Sequence, residues 1–128
     1  FYGDEIDRQP STGEFDEVQK TRSDYPWYEQ EEDVLTHWQK LGQFRANHPA
    51  VGAGSQIDLG DDTYLRTFGS DKVVIKINAS GATKIDVSKV FADGVTLRNA
   101  YTASQDEVSD GSIEFEAQNG VILLEKIN

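Results

Sequence analysis

Twenty-three of the 128 residues are Asp or Glu, so the first chemistry to test is the paired carboxylate. Acid–base cleavage of glycosides sets two carboxyl groups roughly 5 to 9.5 Å apart. The adjacent pairs Asp4-Glu5, Asp61-Asp62 and Asp106-Glu107 arise by chance at this density of acids and read as solvated surface. The two histidines, His37 and His48, stand eleven residues apart, which on a helix is roughly 16 Å along the axis. They cannot share a metal, and each is expected to be a packed ring with one polar partner. Arg45 is expected to bury its stem and pair with a carboxylate. Trp27 and Tyr28, after Pro26, would either stack on a sugar ring or cover the edge of a core, and the core reading is preferred because large exposed apolar patches are uncommon. The chain has no Cys, which removes disulfides, thiolate metal sites and a cysteine nucleophile. It contains no Gly-rich phosphate loop, HExxH, nucleophile elbow or zinc spacing.

The element that must position most of these groups is the stretch from Asp33 to Ala50. At about 100° per residue, Val34, His37, Trp38, Leu41, Phe44, Arg45 and His48 share one half of a helical cylinder, while Glu32, Thr36, Gln39, Lys40, Gln43 and Asn47 take the other. Glu29, Glu31, Glu32 and Asp33 place negative charge at the positive end of the helix dipole, with Asp33 as the expected N-cap. Pro49 disfavours helical geometry at His48, and Gly52 with Gly54 argues against further helix. The apolar half needs a partner surface. The expectation is that the helix folds back through Trp38, Leu41 and Phe44 onto the strands that follow.

The segment 1–33 shows neither helical nor strand periodicity. It holds eleven acids and three bases, a net −8 in a chain of net −11. Such charge argues against nucleic acid or an anionic membrane as partner. No apolar run approaches the ~18 residues that span a bilayer, and no leader of signal-peptide type is evident. Phe1 is not an initiator and the chain contains no Met, so it is expected to be a piece of something longer. An irregular segment of this length normally means a functional loop or a segment that has lost its packing partner. Mobility is expected over much of residues 1–33.

From residue 55 onward the pattern changes to alternation of apolar and polar residues, with turn signals every ~8 to 12 residues, the rhythm of an antiparallel sandwich. Strands are predicted at Ser55–Leu59, Thr63–Phe68, Lys72–Asn78, Lys84–Ser88, Val95–Tyr101, Ser112–Ala117 and Val121–Ile127. Asp110-Gly111 and Asn119-Gly120 supply the positive backbone angles of tight hairpins. The predicted fold class is mainly β: an antiparallel Greek-key-type β-sandwich over residues 55–128, preceded by one amphipathic helix and an irregular acidic segment in residues 1–54.

Taken together, several motifs resemble a known family. Phe1-Tyr2-Gly3-Asp4-Glu5-Ile6 is similar to the (F/Y)YGDE(I/L) segment that closes the eighth barrel strand in the α-amylase family of glycoside hydrolases, and RSDYPW at 22–27 resembles the loop after that strand. Trp38-Gln39-Lys40-Leu41 followed by Arg45-Ala46-Asn47-His48-Pro49-Ala50 resembles the (L/A)R-x-x-HPA end of the eighth barrel helix, with Phe44 standing where that pattern has Leu or Ala. TRSD at 21–24 and HWQKLGQFRANHPAVGAG at 37–54 resemble the periplasmic bacterial members in particular. FADG at 91–94, LRNAY at 97–101 and NGVILLE at 119–125 look like the all-β C-terminal domain.

The resemblance implies a fragment whose parent hydrolyses α-1,4-glucan by the retaining route. The catalytic Asp, Asp and Glu of that family, and its calcium site, all lie upstream of the part that resembles Phe1–Ile6. This chain would therefore carry no catalytic residue, metal or cofactor, with calcium left to the parent. Its partner would be the missing catalytic barrel, which it would cap, in a periplasmic or secreted enzyme, with no role for nucleic acid or membrane. Arg22 and Trp27 are candidate substrate-binding residues of the barrel loop. The alternative is a glucan-binding module using an aromatic such as Tyr64 or Tyr101. A third reading is a structural, partner-docking domain with a contiguous apolar patch and concentration-dependent dimerisation.

Overall fold

A computed structural model describes residues 32–127. The chain divides into two compact units, 1–40 and 41–128. Of the first, only the opening turns of a helix are described. That helix, α1, spans Glu32–Asn47 and so runs on into the second unit. Asp33 therefore stands inside the first turn rather than at the N-cap, although it and Glu32 still complement the positive end of the dipole. Trp38 is 49% exposed, against the expectation that it would be an anchor. The expected N-terminal loop falls outside the described residues, as do Arg22, Trp27 and Tyr28.

In the second unit, α1 ends at Asn47, His48 is extended (φ −126°, ψ 102°), and a second short helix, α2, spans Pro49–Ala53. This second helix departs from the expectation drawn from Gly52 and Gly54. Pro49 supplies the preset φ of a first helical turn, and the carbonyls left open at the end of so short a helix are taken by Arg66, as described below.

Eight strands follow: β1 (Ser55–Gly60), β2 (Thr63–Phe68), β3 (Asp71–Lys76), β4 (Ala82–Asp86), β5 (Thr96–Asn99), β6 (Gln105–Glu107), β7 (Ser112–Glu116) and β8 (Ile122–Lys126). Six form one sheet in the order β1-β2-β3-β8-β5-β6, and β4 pairs with β7 in a second sheet. Neighbouring strands in both sheets pair antiparallel. The fold is thus the mainly β, antiparallel sandwich that the alternation predicts. Asp110-Gly111 and Asn119-Gly120 adopt positive φ at both positions, as tight hairpins require. Asp61 and Asp62 do the same between β1 and β2 without a glycine at either position. The strand β6 was not expected, because Gln105-Asp106-Glu107 is wholly polar and wholly exposed, an edge that has no apolar alternation to betray it.

Two apolar layers lie on opposite faces of the larger sheet. Between the sheets, Leu65, Val74, Leu97, Ile122 and Leu124 meet Ile85, Ile113 and Phe115 of the smaller one. On the other face Val73 and Leu123 pack with Phe44, Ala50 and Tyr101, bordered by Leu41, Val51 and Ile75. Val73 and Val74 are therefore both fully buried although they are neighbours on one strand. The end of α1 and all of α2 belong to this second layer, so the compact unit begins at Leu41.

Candidate functional site

Among the described residues, a cluster of polar side chains lies where α1 turns into α2. His48 is the hinge residue of that corner. Its extended backbone turns the chain ahead of Pro49, and its ring lies 4.8 Å from the Phe44 ring, tilted by 53°. Both ring nitrogens meet carboxylates. Nδ1 lies 2.9 Å from Asp71 Oδ1 at the start of β3, and Nε2 lies 2.6 Å from Glu125 Oε2 on β8. Asp71 uses its second oxygen to accept the Ala50 backbone N–H at 2.9 Å. Glu125 uses its second oxygen on Arg98 Nη1 of β5, at 3.7 Å.

The local sequence explains how these groups converge. Alternation on β8 puts Glu125 on the same face as Leu123, the face that α2 covers, and register places Glu125 directly across from Val73. Asp71 opens β3 two residues before Val73, on the same face. Arg66 of β2, paired with Val73 on its other side, reaches under α2. Its Nε donates to Ala50 O at 3.0 Å, and its Nη2 donates to Val51 O at 2.9 Å and Gly54 O at 3.0 Å. A guanidinium thus satisfies carbonyls that a short helix leaves open at its negative end.

Electrostatics follow from this geometry. Desolvation pulls the His48 pKa down, but the hydrogen bonds to Glu125 and then Asp71, with their negative charge, outweigh it and hold the pKa above 6.5. Desolvation pushes the Asp71 carboxyl up, yet the Ala50 N–H and the His48 ring together bring it below 3.8. A cleft of about 610 Å³ opens beside the cluster, lined by His48, Ser70, Asp71, Lys72 and Lys126 and floored by Phe91 and Val95.

This arrangement is a clasp rather than a nucleophilic triad. Ser70 stands close by, but a general base needs a free ring nitrogen, and both nitrogens of His48 face carboxylates. No group of three or more His, Asp or Glu among the described residues is arranged to hold a metal.

The expected site residues are not gathered here. Arg22 and Trp27 lie outside the described residues. Tyr64 is half-buried on β2, across from Ile75. Tyr101 is 2% exposed in the helix-side layer, and its hydroxyl accepts a hydrogen bond from Asn119 Nδ2 at 2.8 Å, so it presents no ring face to a ligand. Arg45 is exposed and makes no carboxylate pair among the described residues, contrary to expectation. His48 has two carboxylate partners rather than one. Sequence reasoning missed Asp71 and Glu125 because they are 23 and 77 residues away from it. The available signal was a carboxylate on the apolar face of a strand, between Leu124 and Lys126.

No family model matches the chain. It is 42% identical over 81 residues to the periplasmic alpha-amylase of Escherichia coli K12, covering 59% of this chain and 12% of that protein. It is 27% identical to the amylopullulanase of Thermoanaerobacter thermohydrosulfuricus, covering 97% of this chain and 9% of that one. The chain therefore spans about a tenth of the length of these curated relatives. Among solved structures, the alpha-amylase of Geobacillus thermoleovorans, complexed with acarbose, superposes with a TM-score of 0.73 at 15% identity, over 99% of this chain and 29% of that one. That likeness is one of fold.

Proposed function

We infer that this chain, a relative of the α-amylase-family glycoside hydrolases, is the C-terminal part of such an enzyme, and that it serves there as a non-catalytic cap on the barrel. The parent would cleave α-1,4-glucan with retention, through carboxylates that precede Phe1, with calcium bound elsewhere in the parent. The relationship to a periplasmic enzyme supports a periplasmic or secreted location, and no helix among the described residues is long and apolar enough to cross a membrane.

The observation that carries this reading is the corner itself. The end of α1, which resembles the last barrel helix, is joined to the sandwich by buried Phe44 and Ala50 and by the clasp of His48, Asp71 and Glu125. A joint between two layers is what a cap requires. None of the described carboxylates in it is free to act as a paired acid and base, because Asp71 divides its oxygens between the His48 ring and the Ala50 N–H, and Glu125 between the His48 ring and an ion pair with Arg98.

The competing reading is a glucan-binding module, with half-buried Tyr64 left as its expected aromatic once Tyr101 is buried, and with acarbose bound by the Geobacillus relative as its support. An amide-shift titration with a maltooligosaccharide, following the sugar signals in the same tube, separates the two. The cap reading expects unmoved amides and intact sugar. Saturable shifts clustered around Tyr64 would replace it with the binding module, and sugar cleavage by pure material would overturn it outright.

A further inference from the structure

A neutral imidazole carries one N–H, yet both ring nitrogens of His48 lie within hydrogen-bond distance of a carboxylate oxygen, at 2.9 and 2.6 Å. Both contacts are favourable only when the ring is an imidazolium. As a neutral ring it would set a lone pair against a carboxylate on one side. The two arms are not equivalent. Asp71 is also fixed by the Ala50 N–H, whereas Glu125 has a second cation in Arg98. The remaining charged groups around the ring do not substitute for its proton. Lys72 and Lys126 line the adjoining cleft, Arg66 is engaged with the carbonyls of α2, and the α1 and Val90–Val95 sides bring Phe44, Asn47, Val90, Phe91, Ala92 and Val95, none of them charged.

We propose that His48 is a proton-gated clasp: as a cation it pins the α1–α2 corner to β3 and β8 together, and on losing its proton it keeps Asp71 and releases Glu125 to Arg98. The gate lies in the clasp alone and does not depend on the enzymatic reading above. If that reading holds, the device makes the joint between barrel and sandwich firm in mildly acid media and slack in alkali.

The test uses the 128-residue chain. Nitrogen-15 NMR of the His48 ring should show both nitrogens protonated at about pH 6, with a midpoint above the ordinary 6.5. Amide exchange at residues 48–54, corrected for the intrinsic pH dependence of exchange, should lose roughly tenfold in protection between about pH 6 and pH 9, the factor for one charge-assisted hydrogen bond. In Glu125→Gln the amide can donate to a neutral ring, so the midpoint should fall and the pH dependence of protection should flatten. A wild-type midpoint at or below 6.5, or a single protonated nitrogen at about pH 6, would overturn the gate whether or not that variant folds. An unchanged pH profile in a folded Glu125→Gln chain would also overturn it.

Discussion

Asp71 and His48 titrate in opposite directions, and that fixes where the corner is strongest. The His48 pKa is raised in the folded state, so its contribution to stability is fully present below 6.5 and is lost as pH rises through the folded value. The Asp71 pKa is lowered, so its contribution is fully present above 3.8 and is lost as pH falls through the folded value. The clasp is complete between these limits. Thermal unfolding followed across pH should give a stability maximum in this mildly acid window, and His48→Gln should flatten its alkaline limb. His48→Ala leaves two partly buried carboxylates facing each other across a void. It should cost about 1 to 3 kcal/mol near pH 6, read from urea midpoints, and a loss much below that range would mean that solvent replaces the ring without penalty.

At the scale of the element, α2 depends on a close approach that only glycine allows. A Cβ built at Gly54 would lie 2.4 Å from both Ala50 O and Thr67 O, backbone atoms that cannot swing away. Gly54→Ala should therefore push α2 off β2, strain the Arg66 bonds and cost about 1 to 3 kcal/mol. Gly42 in α1 is the control, since a Cβ there meets nothing within 4 Å and the position is exposed. Gly42→Ala should stabilise the chain by about 0.4 to 1 kcal/mol, chiefly through the unfolded state. Chemical denaturation of the two variants side by side checks both signs.

The same elements explain what could be read in advance. Strand β7 was legible because its apolar and polar residues alternate, β3 and β8 because each is a short run of apolar residues bounded by turn residues and buried on both faces, and the turns on either side of β7 because Asp-Gly and Asn-Gly favour positive φ. The strand β6 was not legible, since a polar edge strand is held by backbone pairing to β5 alone. The helix α2 was hidden because its stability comes from Arg66 and from Ala50 burial, neither of which is local. The clasp was half legible: His48 stood out on the apolar face, but its partners are set by sheet register across the whole domain, which no local window contains.

For the whole molecule, the open question is where the folding unit starts. Strand alternation begins at Ser55, and the compact unit that holds those strands reaches back to Leu41. The two starting points leave different surfaces bare. A chain cut to 55–128 loses Phe44 and Ala50, exposing Val73, Leu123 and Tyr101 on a sheet whose other face is already committed to β4 and β7. Removal of Phe44 alone should cost about 3 to 5 kcal/mol, measurable in Phe44→Ala, and that is a large share of the stability of a small domain. The shorter chain is thus expected to aggregate or bind a hydrophobic dye, while 41–128 keeps the amide shifts that strands β1 to β8 have in the full chain. Retention of those shifts and of cooperative unfolding by 55–128 would show that the helix-side layer is an accessory to the sandwich. It would also move the joint proposed at His48 from inside the folding unit to its border.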